Sequence, residues 1–222
     1  MKNIPALDPK VLDLVTEISK EPKVEAAMAF IKDQTEVAMQ EQIELCEIEA
    51  PTFHEEKRAA SVAERMRQYG LTDVHIDEIG NVIGIRKGSG NGPVLAIGAH
   101  MDSVFPAGTD VKVKKEGNIY RAPGSGLRAL LQVLRALEKE DIRTVGDIWF
   151  VGTVGEEGNG DIRGSKHLCA NNKLDGFVAI DSTDVGRVLY GAVGSHRWRL
   201  AVDGTGGHSF ADFGKTPSAI HA

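Results

Sequence analysis

The sequence predicts an α/β fold: a three-layer α/β/α domain with a mostly parallel sheet covered on both faces by helices. Three observations carry that expectation. The segments "PVLAIGA", "DIWFVGTV" and "GFVAI" are apolar throughout instead of alternating, as strands buried on both faces are. Between the first two lies "GLRALLQVLRALEKE", with Leu127, Leu130, Leu131, Leu134 and Leu137 at helical spacing. Apolar strands separated by helices are the pattern of a sheet built from crossover units.

The elements follow in order. The first fifty residues read as helix with a break near Glu21-Pro22, since Val11, Leu14, Val15 and Ile18 share one face and Ala27, Ala29, Phe30 and Ile31 continue beyond it. Residues 54–69 form another amphipathic helix, stopped by Gly70. "DVHIDE", with period-two alternation, and "NVIGIRK" are strands, followed by the turn "GSGNGP". After Asp184 the alternating segments "GRVLYGAV" and "HRWRLAVDG" read as an antiparallel pair, and Pro217 opens a further helix. There is no internal repeat.

Composition narrows the function. The chain has 222 residues, 41% hydrophobic and 26% charged, with a net charge of −6 and no basic stripe, which excludes nucleic acid and anionic membrane as expected partners. The N-terminus lacks the apolar core of a signal peptide and no run approaches the length of a membrane span, so a cytoplasmic protein is expected. Cys46 and Cys169 fit no Cys-x-x-Cys pattern and read as buried small hydrophobes in a reducing compartment. "GKT" at 214–216 lacks the glycine a phosphate-binding loop needs, because Ser209 stands there. "HEEKR" at 54–58 is not a zinc-binding helix motif, and no Gly-x-Ser-x-Gly elbow occurs. His75 alternates within a half-exposed strand and reads as a surface residue, and His54, His167, His196 and His221 have no recognisable partner pattern.

The chemistry gathers at strand ends. Ligands of open α/β sheets bind beyond the carboxyl ends of the strands. "VLAIGA" runs into His100-Met101-Asp102, "DIWFVGTV" into Gly155-Glu156-Glu157, and "GFVAI" into Asp181. Residues i and i+2 of extended chain point the same way, so His100 and Asp102 reach one site. A ligating histidine commonly gives its other N–H to a carboxylate, the role that suits Asp102. Glu156 and Glu157 point apart if the strand continues, so one can ligate a cation while the other acts as general base. A dication offsets the repulsion of clustered carboxylates, and Zn²⁺ accepts mixed imidazole and carboxylate ligands.

"IGAHMDSV", "GTVGEEGNGDIRGS", "AIDST" and "GTGGHS" occur in the order and approximate spacing of the zinc-dependent exopeptidase and deacylase family, which includes peptidase T, glutamate carboxypeptidase and acetylornithine deacetylase. From about residue 36 onward the chain resembles that family. The resemblance implies a catalytic domain interrupted by an α+β lid or dimerisation domain, and hydrolysis of a peptide or N-acyl amide bond using two Zn²⁺ ions. It implies that His100, Glu157 and Asp181 are metal ligands and that Asp102 orients His100. Glu156 would take a proton from the water on the metal. His208, in "GGHS", would polarise the substrate carbonyl, often across a dimer interface.

Two departures accompany the likeness. The family carries a metal-bridging aspartate after an Ala-Pro-Gly stretch, but no Asp or Glu lies between Glu116 and Glu138 here, and Ser125 occupies the shortened turn. The family's last ligand histidine follows the lid domain, and His221 comes too early to match it. The expected organisation is an N-terminal helical extension over 1–35, the first part of a metallopeptidase catalytic domain over 36–190, and the start of a lid domain over 191–222. The expected function is an exopeptidase or dipeptidase-like hydrolase acting on a small peptide. An N-acyl amino acid deacylase is one alternative, and an inactive or fragmentary family member without the bridging Asp and the late His is another. The three remaining ligands suit one metal or none, and the same donors accept Co²⁺ or Mn²⁺. The implied protein partner is a second copy of the chain, joined through the lid domain.

Overall fold

The computed structural model describes residues 8–117, 119–121, 126–181, 188–191, 194, 196, 198, 200–208 and 210–215. The chain divides into two units, Met1–Thr183 and Asp184–Ala222.

Three helices open the first unit: α1 (Pro9–Ser19), α2 (Pro22–Asp33) and α3 (Thr35–Cys46). Pro9 and Pro22 stand in the first turns of α1 and α2, where a missing N–H costs nothing. The break expected at Glu21-Pro22 is the α1–α2 boundary. α4 (Glu56–Gln68) leads into β1 (Asp73–Ile76) and β2 (Val82–Arg86). Next come β3 (Leu95–His100), the short pair β4 (Lys114–Glu116) and β5 (Ile119–Arg121), and α5 (Leu127–Lys139). The unit continues with β6 (Ile148–Thr153), α6 (Arg163–Asn171) and β7 (Gly176–Ala179).

The main sheet has the order β1-β2-β6-β3-β7. Its core, β6-β3-β7, is parallel, while β1 and β2 join by antiparallel pairing. The sheet is therefore mixed. The alternation of "DVHIDE" already marks a one-sided edge strand, and β1 is exposed on most of its residues.

Two apolar clusters define the layers. Ile148 and Phe150 of β6 join Val82, Ala99, Val62, Met66, Leu127, Leu130, Leu131 and Leu134 on the face covered by α4 and α5. The alternate residues, Trp149 and Val151, join Ile83, Ala96, Phe177 and Leu168 on the face covered by α6. That period-two division of one strand is the three-layer α/β/α arrangement. α5 shows why its sequence is helical: its fully buried leucines recur at i, i+3, i+4 and i+7. Its start abuts the sheet so closely that a Cβ on Gly126 would lie 2.2 Å from the Ile180 carbonyl oxygen.

Some expectations differ from the structure. The apolar residues Val11, Leu14, Val15 and Ile18 of α1 are all exposed. Cys46 is buried as expected, but Cys169 is exposed on α6. In the second unit the expected strand pair falls partly on residues outside those described, and none of the described ones is in a strand. The helix expected at Pro217, together with Ser125 and His221, lies outside the described residues. No helix among the described residues is long and apolar enough to cross a membrane.

Candidate metal centre

β3 is flanked by β6 and β7, and their parallel register sets the site. His100 sits opposite Thr153, and Gly98 sits opposite Ala179, with the Ile180 N–H donating to the Gly98 carbonyl at 2.7 Å. The three segments that leave these strands therefore emerge side by side. They are the segments that begin with His100, Gly155 and Asp181.

β6 does not continue through the two glutamates. Gly155 adopts φ +61°, the left-handed region, and a Cβ there would meet Arg163 Cγ at 2.7 Å. The turn ends the strand alternation that would send the acids to opposite sides. One ligand atom from each of His100, Glu156 and Glu157 lies within 4.8 Å of the others. The sequence expectation of diverging glutamates is corrected on this point.

Asp102 is fully buried beneath the group. Oδ2 accepts hydrogen bonds from the Thr52 hydroxyl at 2.9 Å and from the Glu157 N–H at 3.0 Å, and Oδ1 accepts from the Glu156 N–H at 3.0 Å. His100 Nδ1 stands 3.4 Å from Oδ1. Burial alone would raise the Asp102 carboxyl, but the hydrogen bonds from His100, the two backbone N–H groups and Thr52 outweigh it and bring the pKa down to about 2. The Asp102 hydrogen bond raises the His100 imidazole above its ordinary value against the opposing effect of burial. Burial pushes Glu156 up; His100 opposes that rise, while Glu157, Asp181 and Asp102 add to it. Asp181 is exposed at the end of β7, and its charge reaches both His100 and Glu156.

His208 belongs to the second unit. Its backbone N–H donates to Asp212 Oδ2 at 2.7 Å, and its Nδ1 accepts the N–H groups of Phe210 and Ala211, each at 3.3 Å.

Sequence reasoning missed the supports of the site. Thr52 reaches Asp102, and Glu55 accepts the Gly155 N–H at 2.9 Å. Asn81 accepts the Val154 N–H at 3.1 Å and donates to the Gly164 carbonyl at 3.1 Å. No local pattern marks these residues, because each acts on a segment far away in the chain. His167, given no partner from sequence, stands 2.9 Å from Glu78 Oε1, with Asp77 close by. Asp77 already accepts the N–H groups of Ile79, Gly80 and Asn81, so it serves a turn.

Residues 96–198 match the family described as Peptidase family M20/M25/M40. The matched segment contains His100, Asp102, Glu156, Glu157 and Asp181. Over 120 residues the chain is 35% identical to a protein of Pyrococcus abyssi named as a LysW-lysine/LysW-ornithine hydrolase, covering 52% of this chain and 32% of that protein. The chain spans between about a third and two fifths of the length of the curated relatives it matches. A tripeptidase from Staphylococcus aureus is 30% identical, with a TM-score of 0.54 over 65% of this chain and 43% of that one. Aminopeptidase PepT from Bacillus cereus is similar in fold, 23% identical with a TM-score of 0.55 over 65% of this chain and 43% of that one.

Proposed function

We propose that this protein is a metal-dependent hydrolase of peptide or N-acyl amide bonds, with its centre at the ends of β3, β6 and β7. The observation that carries this reading is the convergence of His100, Glu156 and Glu157 within 4.8 Å above the buried Asp102. The donor set fits a divalent cation. Three carboxylates and an imidazole share one strand edge, and Glu156 is held high by burial and by its acidic neighbours, a repulsion that a dication relieves. His100, Glu157 and Asp181 would hold the ion, with Zn²⁺ matching the ligand types and Co²⁺ or Mn²⁺ also accepted. When bound, such an ion supplies Lewis acidity, polarising a scissile carbonyl and acidifying water to a pKa of about 7 for zinc.

The chain's own residues do the rest. Asp102 holds Nδ1 of His100, which fixes the tautomer and leaves Nε2 as the ligating atom. Glu156 takes the proton of the attacking water and passes it to the departing amide nitrogen, the work of a general base standing beside the ligands. His208 would polarise the substrate carbonyl from the lid domain. The relatives' names, a LysW-lysine/LysW-ornithine hydrolase and a tripeptidase, support amide-bond cleavage as the reaction class. A catalytic region over 36–190, a lid over 191–222, a homodimer through that lid and a cytoplasmic location belong to the same reading.

One observation favours a second reading. No Asp or Glu lies between Glu116 and Glu138, so a bridging carboxylate for two ions is missing from the chain there, and a non-catalytic protein holding a single ion would have this pattern. Equilibrium dialysis against micromolar Zn²⁺ tests the metal. One equivalent is expected, lost in Glu157→Ala; a protein that stays metal-free overturns the hydrolase reading. Chelator-sensitive hydrolysis of dipeptides or N-acetyl amino acids, abolished in Glu156→Ala with the metal retained, decides against the non-catalytic one.

A further inference from the structure

Glu55 is 3% exposed, at the residue preceding α4, yet it makes no capping hydrogen bond to its own helix. Its Oε1 accepts the Gly155 N–H at 2.9 Å, and both carboxylate oxygens stand 3.0 Å from Arg163 Nη2. Arg163 opens α6 and encloses the same turn. Its N–H donates to the Gly155 carbonyl at 3.2 Å, and its side chain fills the space a Cβ on Gly155 would need. The guanidinium lies over the Phe53 ring, 5.1 Å from its centre.

Three consecutive N–H groups, those of Gly155, Glu156 and Glu157, thus end on two buried carboxylates. Glu55 takes the first, and Asp102 takes the other two. A buried ion pair adds little stability over an apolar pair of similar volume, so packing alone gives no reason for a carboxylate at position 55. An acceptor for the Gly155 N–H, at a residue where the chain turns left-handed at the end of β6, does give one.

We propose that Glu55, braced by Arg163, is a positioning residue: it fixes the Gly155 turn and thereby the aim of Glu156 and Glu157 at His100. The proposal rests on the metal-hydrolase reading for its consequence and on the hydrogen-bond geometry for its cause. Glu55 touches no reacting atom. It acts through the backbone of the two acids.

Two double variants isolate the acceptor. Glu55→Gln with Arg163→Met removes the charge pair and keeps an amide oxygen for Gly155; Glu55→Leu with Arg163→Met removes the oxygen as well. Amide hydrogen exchange over 154–158 and Co²⁺ titration followed by visible absorption are measured on both. Losing the acceptor should speed exchange there about tenfold or more and weaken Co²⁺ binding by a similar factor, with exchange in β6 unchanged. The glutamine variant should stay within about threefold of the parent in both measurements. Equal behaviour of the two doubles overturns the proposal, as does faster exchange with unchanged cobalt affinity. If the parent itself binds no Co²⁺, the metal reading fails, and exchange over 154–158 alone decides whether Glu55 holds the turn. Should a double variant not fold, Glu55→Gln and Glu55→Leu alone are compared by the same criteria.

Discussion

The carboxylate of Asp102 reaches from beyond β3 to the backbone of Glu157, where Oδ2 accepts the N–H at 3.0 Å while Oδ1 accepts that of Glu156. The same carboxylate faces Nδ1 of His100 at 3.4 Å. One buried acid therefore fixes the imidazole and both glutamates relative to each other, and the acids owe their placement to backbone bonds rather than to loop packing.

Asp102→Ala leaves two partly buried N–H groups and the Thr52 hydroxyl without their acceptor. Urea unfolding should show a loss of about 3 kcal/mol, and Asp102→Asn, which keeps one oxygen, a loss nearer about 1–2 kcal/mol. Equal midpoints for the alanine variant and the parent would contradict the arrangement.

Gly155→Ala forces a Cβ into the left-handed region, which costs about 1–2 kcal/mol before any contact with Arg163. The thermal midpoint should fall accordingly. Zn²⁺ binding should weaken with it, because the turn aims Glu156 and Glu157.

Asn81 is wholly buried, and its side chain joins β2 to the turn after β6 and to the start of α6. Asn81→Ala strands the Val154 N–H and removes the donor to the Gly164 carbonyl. The expected loss is about 2–3 kcal/mol in chemical denaturation.

Tyr69 supplies a pH test away from the site. Burial, followed by the hydrogen bond it donates to Glu41 at 2.5 Å, raises its phenol to about 12. The folded state prefers the neutral phenol, so that stabilisation is complete below pH ~10 and is lost as pH rises toward 12. Of the three tyrosines, one should ionise late in an absorbance titration, and Tyr69→Phe should remove that step.

Much of this was legible because burial on both faces writes itself into composition. β3, β6 and β7 announce themselves as unbroken apolar runs, and α5 by its leucine spacing. His100, Asp102, Glu156, Glu157 and Asp181 follow from where such runs stop. The direction of the two glutamates did not follow, since it depends on the φ of Gly155 and on acceptors about fifty and a hundred residues upstream, at Asp102 and Glu55. Glu55 and Arg58 sit in a charged helical stretch that reads as solvated, yet both are buried; Arg58 donates to the carbonyls of Met101 and Ile48. The antiparallel attachment of β2 to β6 was equally invisible, because alternation marks a strand but names no neighbour.

The strand order β6-β3-β7 has a kinetic consequence. His100 and Asp181 lie roughly eighty residues apart in sequence and meet only after two crossover connections have closed. Contacts of such long range form late, because loop closure precedes any gain from them. A cation bound at those strand ends would find no ligand cluster in the folding transition state. It would slow unfolding and leave the refolding rate unchanged.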